Sequence, residues 1–204
     1  QGDNAAILSW SAPQEGMFGG EFDPSSITGY VITRATGSSS TTINIDNPSA
    51  TTYTDSPGFG TYTYSIYAVN EVGNGIETSA PAILVKPENW IIMTTGEAIV
   101  ETGKTYKFYD IGGPNGSYSN SMNDTLVIRP KNPNAAINVA FTQFDTDTYG
   151  DFLYIFDGAD VKAPLIGEYT ANAVPSDLIS LQSTSTDGAL TFVFVSDVMA
   201  AYAG

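Results

Sequence analysis

Short runs of β-branched and aromatic residues recur along the whole chain, and Gly, Pro, Asn and Asp divide them. Runs with apolar side chains at every second position are typical of strands that bury one face. In the run from 60 to 70, for instance, Tyr62, Tyr64, Ile66 and Ala68 share one face. No window of ten or more residues has a sustained helical period, so the sequence predicts a nearly all-β protein.

The strand-like runs form two series, separated by the polar segment 86–89. The first series comprises Ala5–Trp10, Ile27–Arg34, Thr41–Ile45, Tyr62–Asn70 and Ala82–Val85. The second comprises Ala98–Val100, Thr105–Tyr109, Thr125–Arg129, Ala136–Phe144, Phe152–Phe156, Leu165–Tyr169, Leu178–Gln182 and Leu190–Val195. Because Pro87 cannot donate to a strand ladder, we expect two tandem β-sandwiches, residues 1–87 and 88–204. The apolar segment Trp90–Met93 either packs between them or forms the first strand of the second.

The composition of the chain excludes several kinds of partner, catalytic site and metal site. The 204 residues include 22 acidic and 7 basic side chains, for a net charge of -15, which disfavours nucleic acid and anionic lipid as partners. No apolar stretch approaches the roughly 18 residues of a membrane span, so membrane insertion is not expected. The chain contains no His and no Cys, which excludes Ser-His-Asp and Cys-His catalysis, thiolate or imidazole zinc sites and disulfides.

Three segments of the first series resemble a fibronectin type III domain, which has an immunoglobulin-like fold. They are Leu8–Pro13, Ile27–Arg34 and Gly60–Asn70. The resemblance implies that Trp10 fills the core of the sandwich and that Tyr62 is the corner tyrosine whose hydroxyl bonds to backbone. Only a polar tetrapeptide precedes Ala5, so the first strand of that family is expected to be missing.

The second series resembles a CUB domain, a jelly-roll-like sandwich, and in particular the cysteine-free kind of large secreted bacterial proteins. Five segments carry the resemblance in the family's order: Tyr109–Asn120, Val139–Asp145, Asp151–Gly158, Pro164–Gly167 and Phe192–Asp197. The sequence stops before the family's last strand, which with the missing first strand indicates a piece of a longer protein. We therefore expect an open sheet edge, near Val193, Val195 and Met199, that could pair with another chain or segment.

The densest acidic stretch is residues 145–151. Its carboxylates repel one another unless a cation or solvent separates them. The stretch begins like an EF-hand loop, but Tyr149 and Phe156 stand where that loop needs oxygen ligands, so an EF-hand is not expected.

The CUB resemblance implies a different calcium site. Calcium-binding members place acids at positions that correspond here to Asp147, Asp151 and Asp197, with Asp145 as a substitute for Asp147. Asp145 and Tyr149 are then candidates for ligand contact, and calcium is the expected cofactor. The alternative is that these acids are solvated loop residues, since Asp is a common turn former.

These features predict a non-catalytic recognition or adhesion region of a secreted or cell-surface protein. Its CUB part would bind a protein or glycan, with a basic group on the ligand, through the calcium-organised loop. The alternatives are a passive spacer within a larger secreted hydrolase and a glycosidase that uses paired carboxylates. Four tyrosines are candidates for stacking on glycans if exposed, although core or edge packing is the competing interpretation: Tyr118, Tyr149, Tyr169 and Tyr202.

Overall fold

A computed structural model describes residues 4–203 of the chain. These residues form strands and three short 3-10 turns, at Pro24–Ser26, Gly113–Asn115 and Ser176–Leu178. The prediction of a nearly all-β protein is therefore confirmed. The described part of the chain has no helix with the length and apolar character required to cross a bilayer. The chain divides into two compact units, one ending at Glu88 and the other beginning at Asn89.

The first unit contains two sheets. Its strands are β1 (Ala6–Ser9), β2 (Ile27–Thr36), β3 (Ser39–Ile45), β4 (Thr52–Asp55), β5 (Gly60–Asn70), β6 (Gly73–Asn74), β7 (Thr78–Ser79) and β8 (Ile83–Val85). Strands β1 and β4 form an antiparallel pair. The larger sheet runs β3, β2, β5, and then the short strands β6, β7 and β8 along the far side of β5.

Aromatic residues build the core of the first unit, as period-two alternation along β5 predicts. Tyr62 and Tyr64 are buried, together with Ile32 of β2. The half-buried Trp10 lies against Tyr30 with ring centroids 5.3 Å apart. The Tyr62 hydroxyl donates to the carbonyl of Pro57 at 3.3 Å, so the predicted corner hydrogen bond is confirmed.

The second unit has a five-stranded sheet with the order β10, β12, β17, β14, β15. The strands of this unit are β9 (Trp90–Ile92), β10 (Gly96–Val100), β11 (Lys107–Tyr109), β12 (Asn123–Pro130), β13 (Asn138–Val139), β14 (Phe152–Phe156), β15 (Leu165–Tyr169), β16 (Leu181–Gln182) and β17 (Leu190–Val195). Strand β17 pairs with β12 on one side and β14 on the other. The expected open edge next to Val193 and Val195 is therefore wrong, because both residues lie in the centre of this sheet.

Two further two-stranded sheets cover the same core. Strands β9 and β11 form one parallel pair, and β13 and β16 form one antiparallel pair. Side chains from both pairs pack with those of the five-stranded sheet in one apolar cluster. The segment Trp90–Met93 thus contributes the first strand of the second unit, as one of the two interpretations of the sequence predicted.

Candidate functional site

Asp151 is fully buried at the start of β14, with 0% of its surface exposed. Its burial follows from strand alternation, because Asp151 shares the inward face with Leu153 and Ile155. The Tyr118 hydroxyl donates to Asp151 Oδ2 at 2.6 Å, and the Asp197 backbone N–H donates to Asp151 Oδ1 at 2.8 Å. Both carboxylate oxygens therefore have a protein donor.

Tyr118 joins the segments that surround this carboxylate. Its hydroxyl accepts the Asp147 N–H at 2.9 Å and lies 3.3 Å from the carbonyl oxygen of Ala200. Its ring packs edge-on against Phe194, with centroids 4.9 Å apart. Burial and the hydrogen bond to Asp151 raise the pKa of Tyr118, so the hydroxyl stays protonated and acts as a donor.

Asp147 and Asp197 flank the buried carboxylate in two turns. Asp147 Oδ1 accepts the Tyr149 N–H at 3.1 Å, and the Asp147 carbonyl accepts the Asp151 N–H at 3.2 Å. Asp197 Oδ1 accepts the Met199 N–H at 2.6 Å. The Asp197 carboxylate lies against Gly150, where an added Cβ would be only 2.7 Å from Asp197 Cγ. Glycine at this position is what lets the two turns meet.

The structure thus brings three of the four predicted acids into one hydrogen-bonded network. Asp145 is half-buried and forms no hydrogen bond to that network among residues 4–203. Within the same residues, no three acids are grouped closely enough to form an assembled metal-binding set.

The charge of Asp151 has no basic partner in the described chain. The ion pairs found among residues 4–203 involve other acids, namely Asp55, Glu97 and Glu101. Burying an ionised carboxylate without a counter-charge is unfavourable, and hydrogen bonds compensate it only in part. Within residues 4–203, the Asp151 carboxylate is therefore compensated by hydrogen bonds alone.

An exposed apolar patch borders the acids. Tyr149 is 93% exposed, Val198 75% and Met199 64%. The Val198 carbonyl is held by the Asn120 side-chain amide at 2.9 Å. Large apolar side chains that cluster on a surface mark interaction sites, and tyrosine is enriched among the residues that dominate binding energy.

Of the four tyrosines considered for glycan stacking, Tyr118 and Tyr169 are buried, which agrees with the packing interpretation. The Tyr169 hydroxyl donates to Asp177 at 2.8 Å. Tyr202 is partly exposed and Tyr149 almost wholly so. Sequence reasoning missed the part that Tyr118 plays in the acidic network. No local pattern reveals it, because its partners at 147, 151 and 200 are distant in sequence.

No protein-family model matches the chain. Human cubilin is 35% identical to it over 85 residues, which is 40% of this chain and 2% of cubilin. Rat cubilin is 33% identical over 92 residues, or 43% of this chain and 2% of cubilin. The chain thus spans about 2% of the length of these relatives. Cubilin contains CUB domains, so the similarity agrees with the CUB resemblance of the sequence.

The FN1–FN3 domains of chicken CNTN1 are a structural neighbour. The alignment covers 96% of this chain and 54% of that one, with 12% identity and a TM-score of 0.33.

Proposed function

We propose that this chain is a non-catalytic recognition region of an extracellular protein, made of a fibronectin type III domain followed by a CUB domain. The second unit binds a protein ligand at the turns around Asp151, and calcium organises those turns. The observation that carries the proposal is the wholly buried Asp151 carboxylate, which has two hydrogen-bond donors and no basic partner among the described residues.

The donor chemistry fits calcium. Calcium takes 6–8 oxygen ligands, and flexible turns suit it better than they suit magnesium. The carboxylates of Asp147, Asp151 and Asp197 would hold the ion, and they can supply between three and six oxygens. Each of the two flanking acids has one oxygen engaged by a backbone N–H of its own turn. Calcium would supply the counter-charge that Asp151 lacks and hold the two turns together.

The exposed residues beside these acids support a protein as the ligand. Tyr149, Val198 and Met199 offer apolar contact area, and the remaining negative charge of the acids favours a basic side chain at the centre of the contact. An extracellular location follows from the same proposal, since extracellular calcium is in the range where modules of this affinity are occupied.

Calorimetry with calcium alone tests the site. We expect wild type to bind one ion with a Kd on the order of 0.1–1 mM. Asp151→Asn and Asp197→Asn should abolish the heat. The matched control is Asp46→Asn, which removes one charge from an exposed position of the first unit and should leave binding unchanged. Absence of heat in wild type, or equal loss in the control, would contradict the proposal.

Gly150→Ala tests the geometry without changing any charge. The added Cβ would displace the Asp197 carboxylate from the loop, so we expect at least tenfold weaker calcium binding with the secondary structure intact. Circular dichroism checks the fold. Unchanged calcium affinity would show that Asp197 is not a ligand.

The proposal also states that the chain does not catalyse glycoside hydrolysis, because the acids that would act are committed to the metal. Turnover of aryl glycosides by wild type that is lost in Asp151→Asn would overturn this part. Equal thermal stability in calcium and in chelator would instead favour the spacer alternative.

A further inference from the structure

The sequence contains four places where an asparagine or an aspartate directly precedes a glycine. They are Asn74–Gly75, Asn115–Gly116, Asp157–Gly158 and Asp187–Gly188. In such a pair the glycine nitrogen can attack the side-chain carbonyl carbon of the preceding residue and close a five-membered ring, because glycine has no side chain to obstruct the approach. The attack requires a glycine N–H that no hydrogen bond holds in place.

Three of the four glycine N–H groups are held by backbone carbonyls. The Gly75 N–H donates to the Ala68 carbonyl at 2.8 Å, next to the pairing of β5 with β6. The other two held groups also donate to carbonyls nearby in sequence: Gly158 to Phe156 at 3.2 Å and Gly188 to Ser185 at 3.1 Å. These bonds engage the nitrogen that would attack, so the fold protects these three pairs.

The pair Asn115–Gly116 lies in a different setting. Asn115 is the last residue of the 3-10 turn Gly113–Asn115, and Gly116 after it is extended, with φ -111° and ψ 171°. The Asn115 side chain is exposed. Among residues 4–203, neither the Asn115 side-chain amide nor the Gly116 N–H forms a hydrogen bond. The attacking nitrogen and the carbon that it attacks are therefore both free to react.

We infer that Asn115 is a site of spontaneous covalent modification and converts to aspartate and isoaspartate. The Gly116 nitrogen bonds to Asn115 Cγ, and the side-chain nitrogen leaves as ammonia with the proton that the Gly116 nitrogen loses. One water molecule then opens the cyclic imide, adding its hydroxyl to one of the two ring carbonyl carbons and returning a proton to the ring nitrogen. Each conversion replaces an amide with a carboxylate and therefore adds one negative charge.

Isoaspartate also lengthens the main chain, because the link from residue 115 to the next residue then runs through the former side-chain methylene of Asn115. The turn has little room for this. A Cβ added at Gly112 would overlap the Ser117 carbonyl oxygen, so the two sides of the turn are already in close contact. Tyr118 follows directly, and its N–H donates to the Tyr202 carbonyl at 3.2 Å. We expect isoaspartate to disturb this bond, whereas aspartate leaves the main chain unchanged.

Peptide mapping by mass spectrometry after incubation at alkaline pH tests the inference, since each conversion raises the peptide mass by one dalton. In the folded chain, Asn115 should react at least tenfold faster than Asn74. In urea the two rates should be similar, because both are Asn-Gly pairs and neither has a fixed structure there. Asn115→Gln should stay unmodified at this position, because its longer side chain would have to close a less favourable ring. Absence of modification at Asn115, or an equal rate at Asn74 in the folded chain, overturns the inference.

Thermal unfolding without calcium tests the effect on the turn. The isoaspartate form, separated by chromatography, should have a lower unfolding midpoint than Asn115→Asp, which carries the same charge on an unaltered main chain. Asn115→Asp is thus the matched control, and it should unfold like wild type. Equal midpoints for the isoaspartate form and Asn115→Asp would overturn the expected disturbance at Tyr118. Because calcium is absent, none of these results depends on the proposed site at Asp151.

Discussion

Each unit buries an aspartate against a tyrosine hydroxyl, but the two aspartates differ in charge compensation. In the first unit, Asp55 accepts the Tyr64 hydroxyl at 2.9 Å and two bonds from Arg34 at 2.8 and 3.0 Å. In the second, Asp151 accepts the Tyr118 hydroxyl and a backbone N–H, and no basic residue of the described chain joins it. Burial, followed by the bond to aspartate, raises the pKa of both tyrosines.

The difference separates a charge-compensated structural contact, at Asp55, from the proposed site at Asp151. Asp55 has its counter-charge within the chain, and Arg34 also lies 5.7 Å from the centre of the Tyr62 ring, so this cluster is complete. Asp151 is more deeply buried yet lacks a counter-charge. If the proposed function is right, the Asp151 cluster responds to added calcium, whereas the Asp55 cluster responds to the loss of its own members.

The largest expected effect comes from breaking the complete cluster. Arg34→Met leaves Asp55 buried without a cation and should lower the free energy of unfolding of the first unit by about 3 kcal/mol. Arg129→Met is the matched control, because its pair with Glu97 is exposed, and it should cost less than about 1 kcal/mol. Urea denaturation measures both. Similar values for the two variants would mean that Asp55 does not need its counter-charge.

A smaller effect, about 1.4 kcal/mol and present only with calcium, is expected at Asp151. Without calcium, Asp151→Asn should change the free energy of unfolding by less than about 1 kcal/mol. The variant loses hydrogen bonds of the carboxylate, which destabilises the unit, but it also removes an uncompensated buried charge, which stabilises it. The Tyr118 hydroxyl can then donate to the Ala200 carbonyl. With calcium at ten times its Kd, wild type should gain about 1.4 kcal/mol and the variant nothing. Thermal unfolding with calcium or chelator measures this, and an equal gain in the variant would remove Asp151 from the site.

The smallest effect concerns Asp157, an aspartate compensated by neutral donors. Burial alone would raise its pKa, but hydrogen bonds from Thr184, Ser183 and Ser185 hold that pKa below its usual value. The ionised Asp157 carboxylate therefore stabilises the folded state fully above its unfolded pKa of about 3.9. This stabilisation is lost as the pH falls through the lower pKa of the folded state.

Asp157→Asn should accordingly destabilise the second unit by roughly 1 kcal/mol at pH 7. The difference from wild type should shrink as the pH drops below about 4, toward the lower folded pKa. Denaturation midpoints between neutral and acidic pH measure it. A difference that stays constant over this range would mean that the pKa of Asp157 is not lowered in the folded state.

Strands with a strong apolar pattern could be predicted from the sequence, whereas short strands could not. Apolar side chains recur at every second position in Gly60–Asn70, and Leu190–Val195 is almost continuously apolar. Both segments form strands, as predicted. The strand Thr52–Asp55 was missed because it is polar and its pairing with β1 is a tertiary contact. Within the run 136–144, only Asn138–Val139 forms a strand, since its second edge has no partner strand among the described residues.

The acids of the candidate site were predictable only in part. The resemblance indicated Asp151, and its burial could have been read from its shared parity with Leu153 and Ile155. The contact between Gly150 and Asp197 could not, because it depends on how two distant turns meet. That no basic residue within 4–203 pairs with Asp151 is likewise a property of the folded packing and not of any local pattern.

The central position of β17 also has a consequence for the order of folding during synthesis. Strand β17, residues 190–195, is synthesised after β12 and β14. It nevertheless lies between them in the sheet and pairs with both. The larger sheet of the second unit cannot close until the ribosome has released this segment, so its long-range pairing makes it the slower unit to fold. The first unit, whose last described strand ends at Val85, can fold while the rest is still being translated.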